Sequence, residues 1–159
     1  MSEFLSDAEI GALLAEPKPL PDGFRGRLVV KQKRGHHEAE LDVGGVAGSE
    51  FRIILRRSSH NPLDFSAILA YRMPGTSSFM LLRRYNGKSH FHTNPIEKQS
   101  FYDFHIHTAT ERYQLTGSRS ESFAEPTSRY ASLDEALDCL LADCGFIFPP
   151  GHQADMFRL

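Results

Sequence analysis

A chain of 159 residues with 40% hydrophobic and 24% charged residues has the composition of one globular domain with a real core, which excludes a disordered or fibrous protein. The net charge of −2 with neutral histidines excludes a global electrostatic pull toward nucleic acid or anionic membrane, leaving local basic clusters at Lys31, Lys33 and Arg34, at Arg56-Arg57 and at Arg83-Arg84. No apolar run approaches the roughly 20 residues that cross a bilayer, so no membrane partner is expected.

Residues 1–15 open with a predicted helix. Ser6 is a good N-cap, Glu9 three residues on completes a capping box, and Leu5 and Ile10 stand at the flanking staple positions. Ile10, Leu13 and Leu14 form an apolar stripe that needs a partner surface, either its own domain or another chain. Pro17, Pro19 and Pro21 stop the helix and make a stiff connector. The acidic, amphipathic start has no secretory pattern, which points to a bacterial-type cytoplasmic protein with reduced thiols. Residues 1–22 thus read as an arm, 23–148 as a single α+β domain and 149–159 as a tail.

From Phe24 to His107 strands follow one another with turn signals at short intervals. The expected strands run over residues 27–33, 37–43, where Ala39, Leu41 and Val43 alternate with acidic residues, 51–57, 63–71 and 79–85. Two histidine-bearing strands come next. With no helical pattern between them, the expected fold is α+β: a meandering antiparallel sheet of about six strands with a helix at each end. Residues 108–117 read as a short helix or a continued strand, and 118–131 as polar loop. Ser132 with Glu135 opens a second helix with Leu133, Ala136, Leu137, Leu140 and Leu141 on one face, ended by Gly145. Cys139 and Cys144, five apart in this helix, point to different sides and are not expected to pair.

Residues 83–113 carry the candidate site: half of the eight histidines lie here, as the pairs His90/His92 and His105/His107. Residues two apart in a strand share a face, so each pair lines one side, and Tyr102, Phe104 and Ile106 take the side opposite Asp103, His105 and His107. Asn94-Pro95 signals a turn, so the two stretches read as a hairpin. With Asn94 opposite Phe101, His92 faces Asp103 and His90 faces His105, which pools all four rings on one patch. A one-residue slip would separate them.

The leading chemistry is acid–base cleavage of a phosphodiester without a cofactor: one imidazole takes a proton and one imidazolium gives one. His90 and His105 form the proposed pair, with His107 beside them and Glu111 or Asp103 orienting a ring. Arg83, Arg84, Lys88 and Arg112 would face phosphate, with Asn86 and His92 as further contacts and Tyr85 and Phe91 stacking on a base. A second reading is a metal site, because His-x-His on a strand is a usable two-ligand unit for zinc or iron. His90-Phe-His92 followed by Glu97 resembles the first metal motif of cupins, although no matching second motif follows. A third reading is a non-catalytic module that binds an acidic partner, nucleic acid or a regulatory protein.

The stretches Arg56-Arg57-Ser58, Asn61-Pro62-Leu63-Asp64-Phe65, Arg83-Arg84-Tyr85-Asn86-Gly87-Lys88-Ser89-His90 and Phe104 to Tyr113 resemble a small bacterial family of unknown function. More distantly, Arg84-Tyr85-Asn86 before histidines, a second His-x-His strand and a late helix are similar to the TumE-like toxins of toxin–antitoxin modules. Those carry adjacent histidines where this chain has His90-Phe-His92. The resemblance implies a small intracellular toxin, an RNase acting on RNA and neutralised by an antitoxin or other partner protein, with Arg84, Asn86, His90, His105 and His107 carrying over; a homodimer is a further expectation.

Overall fold

The computed structural model describes residues 4–151. Helix α1 (Asp7–Ala15) starts as its capping box dictates: Ser6 Oγ accepts from the Glu9 N–H (3.1 Å) and the Glu9 carboxylate from the Ser6 N–H (2.9 Å). After strand β1 (Lys18–Pro19) and the short helix α2 (Phe24–Arg27), the chain runs through β2 (Lys31–Gln32), β3 (His36–Gly44), β4 (Glu50–Ser58), β5 (Phe65–Arg72) and β6 (Phe79–Asn86). Then come β7 (His92–Asn94), β8 (Gln99–Phe101), β9 (His105–Thr108), α3 (Glu111–Leu115), β10 (Ala124–Pro126), α4 (Leu133–Asp143) and β11 (Phe146–Ile147).

Seven strands form one antiparallel sheet in the order β10-β9-β6-β5-β4-β3-β2, with helices toward both chain ends, so the fold is α+β as expected. One face is apolar. Leu41, Phe51, Ile53, Leu55, Ala67 and Leu69 meet Leu133, Ala136, Leu137, Leu140 and Leu141 of α4 there. The alternation that hides these residues turns Glu38, Arg56, Ser66, Asn86 and His105 to the other face, where pairing sets them in one row across five strands.

The arm docks on its own chain. Lys18 and Pro19 pair in parallel with Phe146 and Ile147, and Lys18 is fully buried. Its Nζ donates to the carbonyls of Leu13 (2.8 Å), Leu14 (3.1 Å), Glu16 (2.9 Å) and Cys144 (2.7 Å), so one ammonium closes the C-terminal ends of α1 and α4 together. Cys139 and Cys144 are free thiols. The tail expected over residues 149–159 lies outside the described residues after Gly151, and no helix among the described residues is long and apolar enough to cross a membrane.

Three elements differ from the sequence reading. The strand expected over residues 27–33 is only Lys31–Gln32; Gly23, in the left-handed region (φ 71°), turns the preceding residues into α2, and Val29 stays exposed. The polar loop contains β10, whose residues 124–126 pair with β9 as the last strand of the sheet. The histidine strands do not continue the meander side by side. Strands β7 and β8 pair only with each other, and β9 goes back to pair with β6. Gly87 allows the departure: it follows β6 so close to the Leu63 carbonyl that a Cβ there would collide with it.

Candidate functional site

The β7–β8 hairpin closes through a four-residue loop, 95–98, in which Lys98 takes the left-handed conformation (φ 57°). His92 pairs with Phe101 and Asn94 with Gln99, a register two residues from the one expected. Strand β9 takes no part in this hairpin; the rings converge because the hairpin packs on the sheet face that carries His105 and His107. Ring centroids lie 5.4 Å apart for His90 and His105, 5.3 Å for His92 and His105, and 4.9 Å for both His92–His107 and His105–His107. His105 and His107 are buried, His92 is half-buried and His90 is exposed, so the cluster runs from the sheet outward to solvent.

Neighbouring groups determine the protonation of three rings. His105 Nδ1 lies 2.7 Å from the Asp103 carbonyl and His107 Nδ1 lies 2.7 Å from the Glu121 carbonyl. A carbonyl only accepts, so both rings carry their proton on Nδ1 and a lone pair on Nε2. Asn94, fully buried, takes the Ala124 N–H on its Oδ1 (3.0 Å) and gives its Nδ2 to the Ala124 carbonyl (2.7 Å), which fixes the amide's orientation. His92 Nε2, 2.7 Å from that Oδ1, must then donate, which leaves the His92 lone pair on Nδ1. The His107 lone pair meets Arg84 Nη2 at 3.5 Å, and that of His105 meets only Asn86 Nδ2, at 3.4 Å. Asn86 is itself held by Ser66 Oγ (2.7 Å).

The electrostatics agree with neutral rings. Burial, with a smaller push from neighbouring His92, His90 and Arg84, lowers the His105 pKa to about 4, while burial and Arg84 lower that of His107 to about 2. Both fall below the value of about 6.5 in an unfolded chain, so between those limits the unfolded state binds more protons and stability is lost as pH falls. Metal-free protein is therefore expected to hold its stability above about pH 6.5 and to lose it toward pH 4, at about 1.4 kcal/mol per pH unit for each ring. Urea midpoints measured from pH 7.5 to 4 check this; a flat profile would show that the rings already protonate in the fold. Arg84 is half-buried, its pKa lowered chiefly by desolvation, and its ion pair with the buried Glu121 is long, at 3.7 Å.

The remaining expected residues divide. Tyr85 cannot stack on a base: it is fully buried on the α4 side, where its hydroxyl donates to Asp143 Oδ2 (2.7 Å). Arg83, two residues away on that same side, approaches the Tyr85 hydroxyl (3.5 Å) rather than the imidazoles. Strand alternation places Tyr85 and Arg83 opposite to Arg84 and Asn86. The polar contacts of Glu111 and Arg112 also lead away, from the Glu111 N–H to Asp7 Oδ1 (2.9 Å) and from Arg112 Nη2 to Glu97 Oε2 (2.6 Å). Glu97, the carboxylate of the cupin-like motif, is taken up by Arg112 and by the Tyr113 hydroxyl (2.6 Å). Lys88 Nζ sits 5.9 Å from the centre of the Tyr102 ring. Asp103 does orient His105, through its backbone carbonyl and not its carboxylate.

Comparison with family models, curated proteins and solved structures gives no significant match. The site therefore has to be read from its own geometry. His90, His92 and His105 each offer one ligand nitrogen, and these nitrogens lie within 4.8 Å of one another. Two residues essential to the arrangement were not picked out from the sequence. Asn94 was legible in principle, since it follows His92 by two and shares its face. Glu121 sits fourteen residues from His107 in an irregular segment, where no local pattern marks it.

Proposed function

We propose that His90, His92 and His105 hold a divalent first-row transition ion of the zinc or iron class, and that the chain is a metal-dependent enzyme. The observation that carries this reading is the protonation pattern. His105 and His92 each have one ring nitrogen tied as a donor, to a backbone carbonyl and to a buried amide oxygen, and a lone pair on the other, which in His105 is met by the neutral amide of Asn86 at 3.4 Å. Outer partners of this kind fix the tautomer and orientation of metal-ligating imidazoles. Tetrahedral coordination at bonds of about 2.05 Å needs nitrogens about 3.3 Å apart. The exposed His90 has the freedom to close that distance from the 4.8 Å within which the nitrogens lie.

Three imidazoles and an open position suit a catalytic ion better than a structural one, which takes four protein ligands. Such an ion lowers the pKa of bound water to about 7 and supplies a nucleophile at neutral pH. His107 and Arg84 stand beside this position without competing for it: the His107 lone pair already faces the guanidinium. Burial holds His105 and His107 neutral. Metal ligation needs the neutral form.

Co²⁺, a visible-spectrum substitute for zinc, is expected to bind one ion per chain. Its absorption bands should be those of a four- or five-coordinate nitrogen–oxygen site. The double variant His92→Ala/His105→Ala is expected to lose them while keeping the wild-type far-UV circular dichroism. Binding well below one ion per chain, or binding that survives loss of both rings, would remove the proposal. RNA incubated with protein in a chelator should stay intact; cleavage there would restore the metal-free ribonuclease.

A further inference from the structure

Arg84 is held less closely than other arginines of this chain that face an acid. Arg52, Arg112 and Arg129 meet their carboxylates at 2.6, 2.6 and 2.8 Å. Arg84 Nη2 stands 3.7 Å from Glu121 Oε2, beyond hydrogen-bonding distance, and 3.5 Å from the lone pair of His107. Its Nε is buried with no hydrogen-bond partner among the described residues, and its Nη1 donates to none of them, yet 22% of the side chain is open to solvent. Glu121, only 2% exposed, has the matching deficit: its Oε2 accepts from no donor among the described residues. A buried carboxylate and a guanidinium ordinarily close on each other, because an unpaired buried polar atom is costly.

Strand alternation puts this guanidinium on the imidazole side of the sheet. Arg84 is the register partner of His107 and Asn86 that of His105, so Arg84 stands diagonal to His105, about 7–8 Å away and within reach of a long side chain. Other cations lie near. Desolvation is the main influence lowering the Arg84 pKa and Glu121 opposes it, while the charges of Arg119 and Arg56 depress it further. Arg56 is bound to Glu38 (3.1 Å). Arg119 is exposed and has no ion-pair partner among the described residues. Glu121 thus balances the charge of Arg84 without occupying its N–H groups, which leaves the outer nitrogen, Nη1, open to an oxyanion beside the imidazoles.

We infer that Arg84 Nη1 binds an oxyanion of the substrate, a carboxylate or phosphate oxygen carried on or next to the atom that meets the ion, with Arg119 adding positive charge at the outer edge. The placement next to the ion rests on the metal-site reading; the oxyanion contact stands on Arg84 itself. The arrangement selects a compact anion such as a phosphate ester or a small carboxylate, because the guanidinium and the imidazoles share one strand pair, β6 with β9.

Inorganic phosphate and acetate, each titrated into metal-free and into Zn²⁺-loaded protein, test this through the nuclear magnetic resonance signal of the Arg84 Nε–H, which needs no variant. That signal is expected to shift saturably with at least one of the two anions, and whichever binds more tightly names the oxyanion. In Co²⁺-loaded protein the same anion should perturb the absorption bands. Arg84→Gln should weaken that binding by about fivefold or more with one Co²⁺ still held per chain. Arg84→Lys keeps the charge, serves if the first variant does not fold, and should weaken binding by about threefold. An Nε–H signal that does not shift saturably in either form overturns the inference even if the metal binds. So do Co²⁺ bands that respond to the anion as strongly in the variants as in the wild type, since the ion alone would then hold it. A wild type that takes no metal but shows the saturable shift removes the metal reading and leaves the Arg84 contact standing.

Discussion

Asn94→Ala is expected to weaken metal binding by 10- to 100-fold and to lower stability by about 2–3 kcal/mol, because one amide performs two tasks. Its Oδ1 and Nδ2 close a pair of hydrogen bonds with Ala124, which ties the β7–β8 hairpin to the edge strand β10. The same Oδ1 accepts from His92 and so points that ring's lone pair at the cluster. Alanine leaves the buried Ala124 N–H and carbonyl without these partners and frees His92 to rotate or change tautomer. Calorimetric Co²⁺ titration and urea unfolding of the variant read the two effects separately. Unchanged Co²⁺ affinity beside lost stability would mean that the amide only staples the hairpin. The conservative Asn94→Asp keeps the acceptor for His92 and should retain more of the metal affinity than alanine does.

Lys18→Met is expected to cost about 4 kcal/mol, seen as a fall in Tm of about 10 °C. Methionine keeps most of the apolar volume between the rings of Phe51 and Phe146, which lie 4.4 and 5.6 Å from the ammonium, so packing alone would predict a mild change. The loss comes from four carbonyls, at Leu13, Leu14, Glu16 and Cys144, that give up a charged donor in a buried position. Burial lowers the Lys18 pKa to about 8, the neighbouring acidic groups offsetting only part of the effect, so the ammonium persists at neutral pH. Scanning calorimetry at pH 7 decides. A fall of under 3 °C would show that the helix ends find other donors.

These two residues also show where local reading stops. The proline-flanked Lys18 reads as part of an exposed connector, because nothing within a few residues announces that Cys144, 126 positions on, supplies a carbonyl to it. Asn94-Pro95 reads as a turn, which it is, and the turn signal hides the amide's long-range bond to Ala124. Tyr85 failed as a stacking residue for a related reason. The strand over residues 79–85 is legible, but the sheet face that α4 covers is decided by packing.

Short-range physics determined much of the rest from the chain alone. Ser6 with Glu9, and Ser132 with the leucine spacing after it, specify their helices because the caps and faces lie within one or two turns. The alternation from Tyr102 to His107 determined that His105 and His107 share a side, since period two is a property of the strand itself. Tertiary structure decided what those rings meet. It paired β9 with β6, folded the β7–β8 hairpin onto the polar face, and set each ring nitrogen against its carbonyl, amide or guanidinium. Face is encoded locally by backbone geometry. Register and hydrogen-bond partners depend on closing loops between distant segments, and only the packed sheet selects among the closures.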